Sequence, residues 1–160
     1  MAVAEDIMTR EVITVAPDTP VGEVADLLAG KRFGSTPVVD AEGHVLGIVT
    51  EEDLVTRIAN LHLPRHITFL GSIIYLENPN RFTEEAEKIL AVTAQEIMDV
   101  EVPFVRPATS VELIAERMLN EDLRRLVVLD EQNSLIGIIT RADIVRMQTA
   151  EGRLPDETTE

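Results

Sequence analysis

The sequence predicts a mixed α/β (α+β) fold built from two β-α-β-β-α units in tandem, joined by a partly helical connector. Three observations carry this prediction. Residues 5–56 slide onto 95–146 without a gap, and 16 of the 52 aligned positions are identical, the mark of a repeated supersecondary unit. Strand-like and helix-period runs alternate in the same order in both copies. Each copy also holds the same strand-to-helix junction. Gly47-Ile48-Val49-Thr50-Glu51-Glu52-Asp53 returns 90 positions later (137 − 47) as Gly137-Ile138-Ile139-Thr140-Arg141-Ala142-Asp143.

Each unit opens on a short β run, Glu11 to Val15 in the first copy and Val102 to Val105 in the second, ended by Pro17 or Pro107. A helix follows. Thr19-Pro20 supplies an N-cap and a first-turn proline, and Val21, Val24, Ala25 and Leu28 fall on one face at i, i+3, i+4, i+7. The second copy begins its helix with Thr109-Ser110-Val111-Glu112, which has the form of a capping box, and continues the face through Ile114, Ala115 and Met118. Two β runs come next, Thr36 to Val39 and Val45 to Val49 (Leu126 to Leu129 and Leu135 to Ile139), separated by turns at Asp40–Gly43 and Asp130–Ser134. A closing helix carries Leu54, Val55 and Ile58, or Ile144 and Val145. The first motif is expected at 1–58, the connector at 59–93, the second motif at 94–149, and an acidic, disordered tail at 150–160.

The connector holds a helix-breaking His62-Leu63-Pro64-Arg65-His66 and an apolar run, Ile67 to Leu76. Asn78-Pro79-Asn80 then turns the chain, and a helix starts at Thr83 and carries Ala86, Ile89 and Leu90. Thr93-Ala94-Gln95-Glu96 is a further capping box. The connector is long for a plain loop and apolar enough to pack on its own domain or on a partner subunit. Ile67 to Leu76 has half the ~20 apolar residues a spanning helix needs. The N-terminus shows no basic region followed by an apolar run.

Composition narrows the function. There is no Cys, so disulfide and thiolate chemistry are excluded, and a cytoplasmic location is expected. Aromatic residues are 3% of the chain, leaving the core to aliphatic residues and Met. A formal charge of −15 opposes nucleic acid and anionic lipid, so neither is an expected partner. No Gly-x-Ser-x-Gly, P-loop or Ser–His–Asp set is present, and no enzyme activity is expected. His62 and His66 are four apart, but Pro64 lies between them and no further ligand completes a metal set. Gly43, Gly47 and Gly137 read as turn or close-packing glycines.

The junction is the chemically richest feature. Thr-x-x-Asp at a helix start gathers a hydroxyl, a carboxylate and free backbone N–H groups, which suits a phosphate and a sugar diol. The same spacing is an ordinary helix cap, and a capping Thr can serve both purposes.

Ile-Met-x-x-x-Val-x-x-Val-x-Pro, an amphipathic helix, Pro37-Val38-Val39-Asp40 and Gly-apolar-apolar-Thr-x-x-Asp, repeated in register, resemble a tandem pair of CBS motifs, a Bateman module named after cystathionine beta-synthase. The resemblance covers roughly residues 4–59 and 94–149 and is similar to small stand-alone bacterial members. It implies two pseudo-twofold-related clefts that hold adenosine derivatives, with the junction Asp on the ribose, the Thr and neighbouring amides on phosphate, and the first strand framing the base. Carried over, one cleft uses Val12, Thr14, Ser35, Thr36, Pro37, Thr140, Arg141 and Asp143. The other uses Thr50, Glu51, Asp53, Val102, Phe104, Arg125 and Val127, and departs from the pattern by placing Val127 where Pro37 stands in the first copy. Arg141 makes the first cleft the favoured phosphate site, whereas Glu51 and Glu52 oppose phosphate in the second despite Arg124 and Arg125. The implied function is a regulatory module for AMP, ADP or ATP, with Mg²⁺ as a companion of a phosphate chain. It would act as a homodimer on an unknown regulated protein. The alternative is a dimerising scaffold whose clefts are vestigial or take S-adenosylmethionine or cyclic di-AMP.

Overall fold

The computed structural model describes residues 1–31, 33–59, 66–75 and 78–151. Two compact units emerge, one from residues 1–13, 41–45 and 101–160, the other from 14–40 and 46–100. Neither unit is one sequence repeat taken whole.

The first unit starts with α1 (Ala4–Ile7) and is otherwise built from β5 (Phe104–Val105), α6 (Val111–Asn120), β6 (Arg125–Leu129), β7 (Leu135–Thr140) and α7 (Arg141–Glu151). Its sheet has the order β5-β6-β7, parallel between β5 and β6 and antiparallel between β6 and β7, with Phe104 opposite Val127 and Leu126 opposite Ile139. The core joins Ala4 and Met8 to Val105, Ile114, Met118, Leu126, Val128 and Ile139. The expected α6 face, Val111, Ile114 and Met118, is the buried one. The segment around α1 is fixed by reciprocal bonds: Thr9 N–H donates to Ile138 O (2.9 Å) and Ile138 N–H to Thr9 O (3.0 Å), while Val3 bridges Ser110.

The second unit repeats this plan with α2 (Val21–Lys31), β1 (Ser35–Val39), β2 (Val45–Thr50), α3 (Glu51–Ala59), β3 (His66–Phe69), β4 (Ser72–Tyr75), α4 (Pro79–Ala91) and α5 (Ala94–Ile97). Its core joins Val15, Val21, Val24, Leu28, Val38, Val49 and Leu54 to Ala94, with Met98 packed alongside. Asp99 and Ile48 exchange both backbone bonds at 2.9 Å, and Thr93 bridges Pro20. Gly47 and Gly137 admit these segments. A Cβ on Gly47 would stand 2.6 Å from Met98 Cγ and 2.8 Å from Asp99 O, and one on Gly137 would stand 2.8 Å from Met8 Cγ. Both are close-packing glycines, as expected; Gly43 instead takes φ +88° in the β1–β2 turn.

Several local expectations are corrected. The first β run is reduced to a single parallel bridge, Val15 to Val38, and its second-copy counterpart to Phe104–Val105. The N-cap of α6 is Ser110, whose Oγ accepts from Leu113 N–H (3.4 Å). Thr109 Oγ1 accepts instead from Arg106 N–H (3.1 Å), because Thr109 O and Val111 N–H are already bonded to Ala4 and Ala2. The apolar run after His66 forms an antiparallel hairpin, β3–β4, through Leu70 (φ +48°) and Gly71 (φ +79°). α4 starts at Pro79, four residues before Thr83, because Asn78 Oδ1 accepts from Asn80 N–H (3.0 Å) and proline suits a first helical position. The box at Thr93 forms as expected, its N–H and hydroxyl donating to Glu96 Oε2 at 2.8 and 3.0 Å. These bonds, the backbone one foremost, hold the Glu96 carboxyl below the usual carboxylate range. His62 and residues 152–160 of the tail lie outside the described residues, whereas 150 and 151 end α7.

Candidate functional site

Both junctions close into the same clamp. β2 ends at Thr50, where α3 begins with its first N–H groups lacking intrahelical partners. Thr50 N–H and Thr50 Oγ1–H both donate to Asp53 Oδ2 (3.0 and 2.8 Å), and Asp53 N–H returns a bond to Thr50 Oγ1 (3.2 Å). In the second copy Thr140 N–H and Oγ1–H donate to Asp143 Oδ2 at 2.7 and 2.9 Å. Each Thr thereby fixes its Asp through one oxygen and leaves the geometry of the other, Oδ1, to the surroundings.

The surroundings differ. The Asp143 side chain is 5% exposed, and its Oδ1 is ion-paired with Arg146, which is 70% exposed. Arg141, the expected phosphate cation, has its guanidinium on the end of α6: Nε donates to Leu123 O (2.8 Å), and one terminal nitrogen to Met118 O (3.3 Å) and to Asp122 Oδ1 (3.0 Å). Asp53 is partly exposed and lines a cavity of about 460 Å³ with Thr56, Arg57, Ile89 and Ile97. That cavity places a cation near Asp53 despite the exposed Glu51 and Glu52.

The other expected residues divide between the units. In the first unit Val12 is partly buried, Arg125 lies directly across from Thr140 in the β6–β7 ladder, and Val127 is buried opposite Phe104. Phe104 is 43% exposed, with Arg106 Cζ 5.2 Å from its ring centroid. Arg106 also donates to Asp130 O and to Asn133 Oδ1 (2.8 Å), tying down the β6–β7 turn. In the second unit Thr14 and Ser35 are partly buried, and Thr36 and Pro37 are buried. Pro37 O accepts from Val15 N–H (3.1 Å), as Pro103 O accepts from Val127 N–H (3.1 Å) in the first. Arg146 and Arg57 were not expected at the site. The signal for each was present, a basic residue three or four positions after the junction Asp and thus on the same helix face.

Residues 3–60 and 94–149 each match the CBS domain. The chain belongs to the CBS-domain family, as a tandem pair. It is 25% identical over 148 residues to an uncharacterized protein of Methanocaldococcus jannaschii, covering 88% of each chain. It is 29% identical to the chloroplastic CBS domain-containing protein CBSX2 of Arabidopsis thaliana and spans 61% of that protein's length. The crystal structure of CBSX2 in complex with AMP superposes with a TM-score of 0.74 at 26% identity, covering 96% of this chain and all of that one. No helix among the described residues is long and apolar enough to cross a membrane.

Proposed function

We propose that the protein is a regulatory module that binds an adenine nucleotide of the AMP type and reports its presence to another protein by a change of conformation. The observation that carries this is the duplicated Thr–Asp clamp. A carboxylate is held by its own helix start with one oxygen left over by its Thr, which suits a ribose diol, at a helix N-terminus whose dipole suits phosphate. The AMP complex of CBSX2 supports the choice of ligand. Asp143 and Asp53 take the ribose in the two copies. Thr140 and Thr50 commit both donors to those carboxylates, so phosphate lies at the helix starts they open and not on their hydroxyls; Arg141 adds positive charge beside Thr140, and Val12, Thr14, Ser35, Thr36 and Pro37, or Val102, Phe104, Arg125 and Val127, frame the base. Homodimerisation is part of the proposal, supported by exposed apolar residues at equivalent helix positions, Val55 (63%) and Val145 (62%). A ligand shifts such a module only by binding its two states differently.

A scaffold without ligand is the second reading. The commitment of the Arg141 guanidinium to α6 favours it, because that charge is then spent on structure. Calorimetry of the full chain against AMP, ATP with and without Mg²⁺, S-adenosylmethionine and cyclic di-AMP decides between them. Saturable binding supports the sensor, and no heat from any ligand at millimolar concentration supports the scaffold.

A further inference from the structure

The second clamp holds a feature that a ribose-binding carboxylate does not need. Asp143 Oδ2 already accepts two bonds, from Thr140 N–H and Thr140 Oγ1–H. An ionised carboxylate offers about four acceptor positions, two on each oxygen, so Oδ2 is full. On Oδ1 one position is taken by Arg146. One remains, whereas a 2′,3′-diol brings two donors. A two-point ribose contact therefore requires the guanidinium to leave. The Asp143 side chain is 5% exposed, so losing its cation is costly, while the 70% exposed Arg146 swings readily on its long stem.

We infer that Arg146 is a selectivity residue, a counterion that competes with the ribose for Asp143 and favours ligands carrying a phosphate that the displaced guanidinium can bind. The inference rests on Asp143 being the ribose-binding residue. Adenosine displaces Arg146 and offers it no anion in return. AMP offers it one, in the paired geometry that guanidinium and phosphate share. The same charge that shields Asp143 thus becomes a phosphate ligand when AMP binds. The device belongs to the second copy: three positions after Asp53 stands Thr56, and the nearby cation, Arg57, is one residue further along the helix.

The test is calorimetry in an Asp53→Ala background, so that the second copy is read by itself, with adenosine, 2′-deoxyadenosine and AMP as probes. Arg146→Ala should tighten adenosine by roughly threefold to fivefold, the scale of an ion pair with one exposed partner. It should weaken AMP by roughly threefold to tenfold, the net loss of a charge-assisted contact. 2′-Deoxyadenosine should not change, because a single hydroxyl fits the remaining acceptor position. Arg146→Lys should restore part of the preference for AMP, and that preference in the parent should fall as salt rises. If Arg146→Ala moves adenosine and AMP equally, or neither, while Asp143→Ala still abolishes both, the role of Arg146 is overturned and the Asp143 reading stands. If Asp143→Ala leaves AMP binding intact, or no form binds any probe, the Asp143 reading falls and this one with it. Circular dichroism checks each fold; Asp143→Asn, which keeps an acceptor for Thr140, replaces the alanine variant should that one unfold.

Discussion

Alanine at Gly47 and Gly137 tests the packing that gives each unit its exchanged segment. The two positions are equivalent by repeat, yet they meet different atoms. At Gly137 the nearest atoms are all in the Met8 side chain, with Cγ at 2.8 Å and Cβ at 3.0 Å from an added Cβ. At Gly47 the added Cβ meets Met98 Cγ at 2.6 Å and also Asp99 O at 2.8 Å. Carbon contacts relax near 3.5–4.0 Å, so both sites are overpacked by roughly 1 Å. A methionine side chain can re-pack, whereas Asp99 is pinned by two backbone bonds to Ile48. Overpacking costs ~1–3 kcal/mol, offset by the ~0.5–1 kcal/mol that alanine gains over glycine in a strand. Gly47→Ala should therefore destabilise by ~1–2 kcal/mol, and Gly137→Ala by less, ~0.5–1 kcal/mol. Urea unfolding measures both; at a slope of ~2 kcal/mol/M the larger effect moves the midpoint by up to ~1 M. Double-mutant cycles sharpen the test. Met8→Ala should absorb most of the cost of Gly137→Ala, and Met98→Ala only part of the cost of Gly47→Ala, because the carbonyl remains. Two alanine variants as stable as the parent, or cycles with no coupling, would refute the packing argument.

Three further outcomes are expected. Ile114→Ala removes a fully buried side chain from the first unit's core and should cost ~2–5 kcal/mol in urea unfolding. Arg141→Ala removes the side-chain bonds to Leu123 O, Met118 O and Asp122 and should cost ~1 kcal/mol, with hydrogen exchange quickening at the end of α6; a loss of AMP affinity in the same variant would show that its charge also serves the ligand. The Glu96 carboxyl titrates below its unfolded value because of the Thr93 bonds, so its contribution to stability is present above the ordinary carboxylate range and is lost as pH falls through the lower folded value. Unfolding midpoints measured from pH 6 to pH 3 should flatten in Glu96→Gln, and only partly, since the Arg117 bond lowers Glu121 in the same window.

The repeat and its helix faces were legible because burial follows local periodicity. Val21, Val24 and Leu28, and Val111, Ile114 and Met118, lie buried as the i, i+3, i+7 spacing requires. The destination of residues 4–8 and 94–98 was not legible. Aligning the two copies shows what Met8 and Met98 correspond to, but not which sheet each one covers. The β3–β4 hairpin was hidden by its turn, since leucine at positive φ is an uncommon signal and Leu70-Gly71 lacks the usual Asn-Gly or Asp-Gly. At the site, Thr and Asp were identified because capping chemistry ties them at fixed spacing. Arg146 was missed because a basic residue three positions after an acidic one is commonplace on a helix, and only the burial of Asp143 makes this pair distinctive.

The proposed binding of an adenine nucleotide runs through the aspartates of the two clamps. Its most direct test is calorimetric titration of AMP into the parent, Asp53→Ala, Asp143→Ala and the double variant, each checked for folding. Saturable binding is expected in the parent, a reduced stoichiometry or affinity in each single variant, and none in the double. AMP binding that persists unchanged in a folded double variant would contradict it.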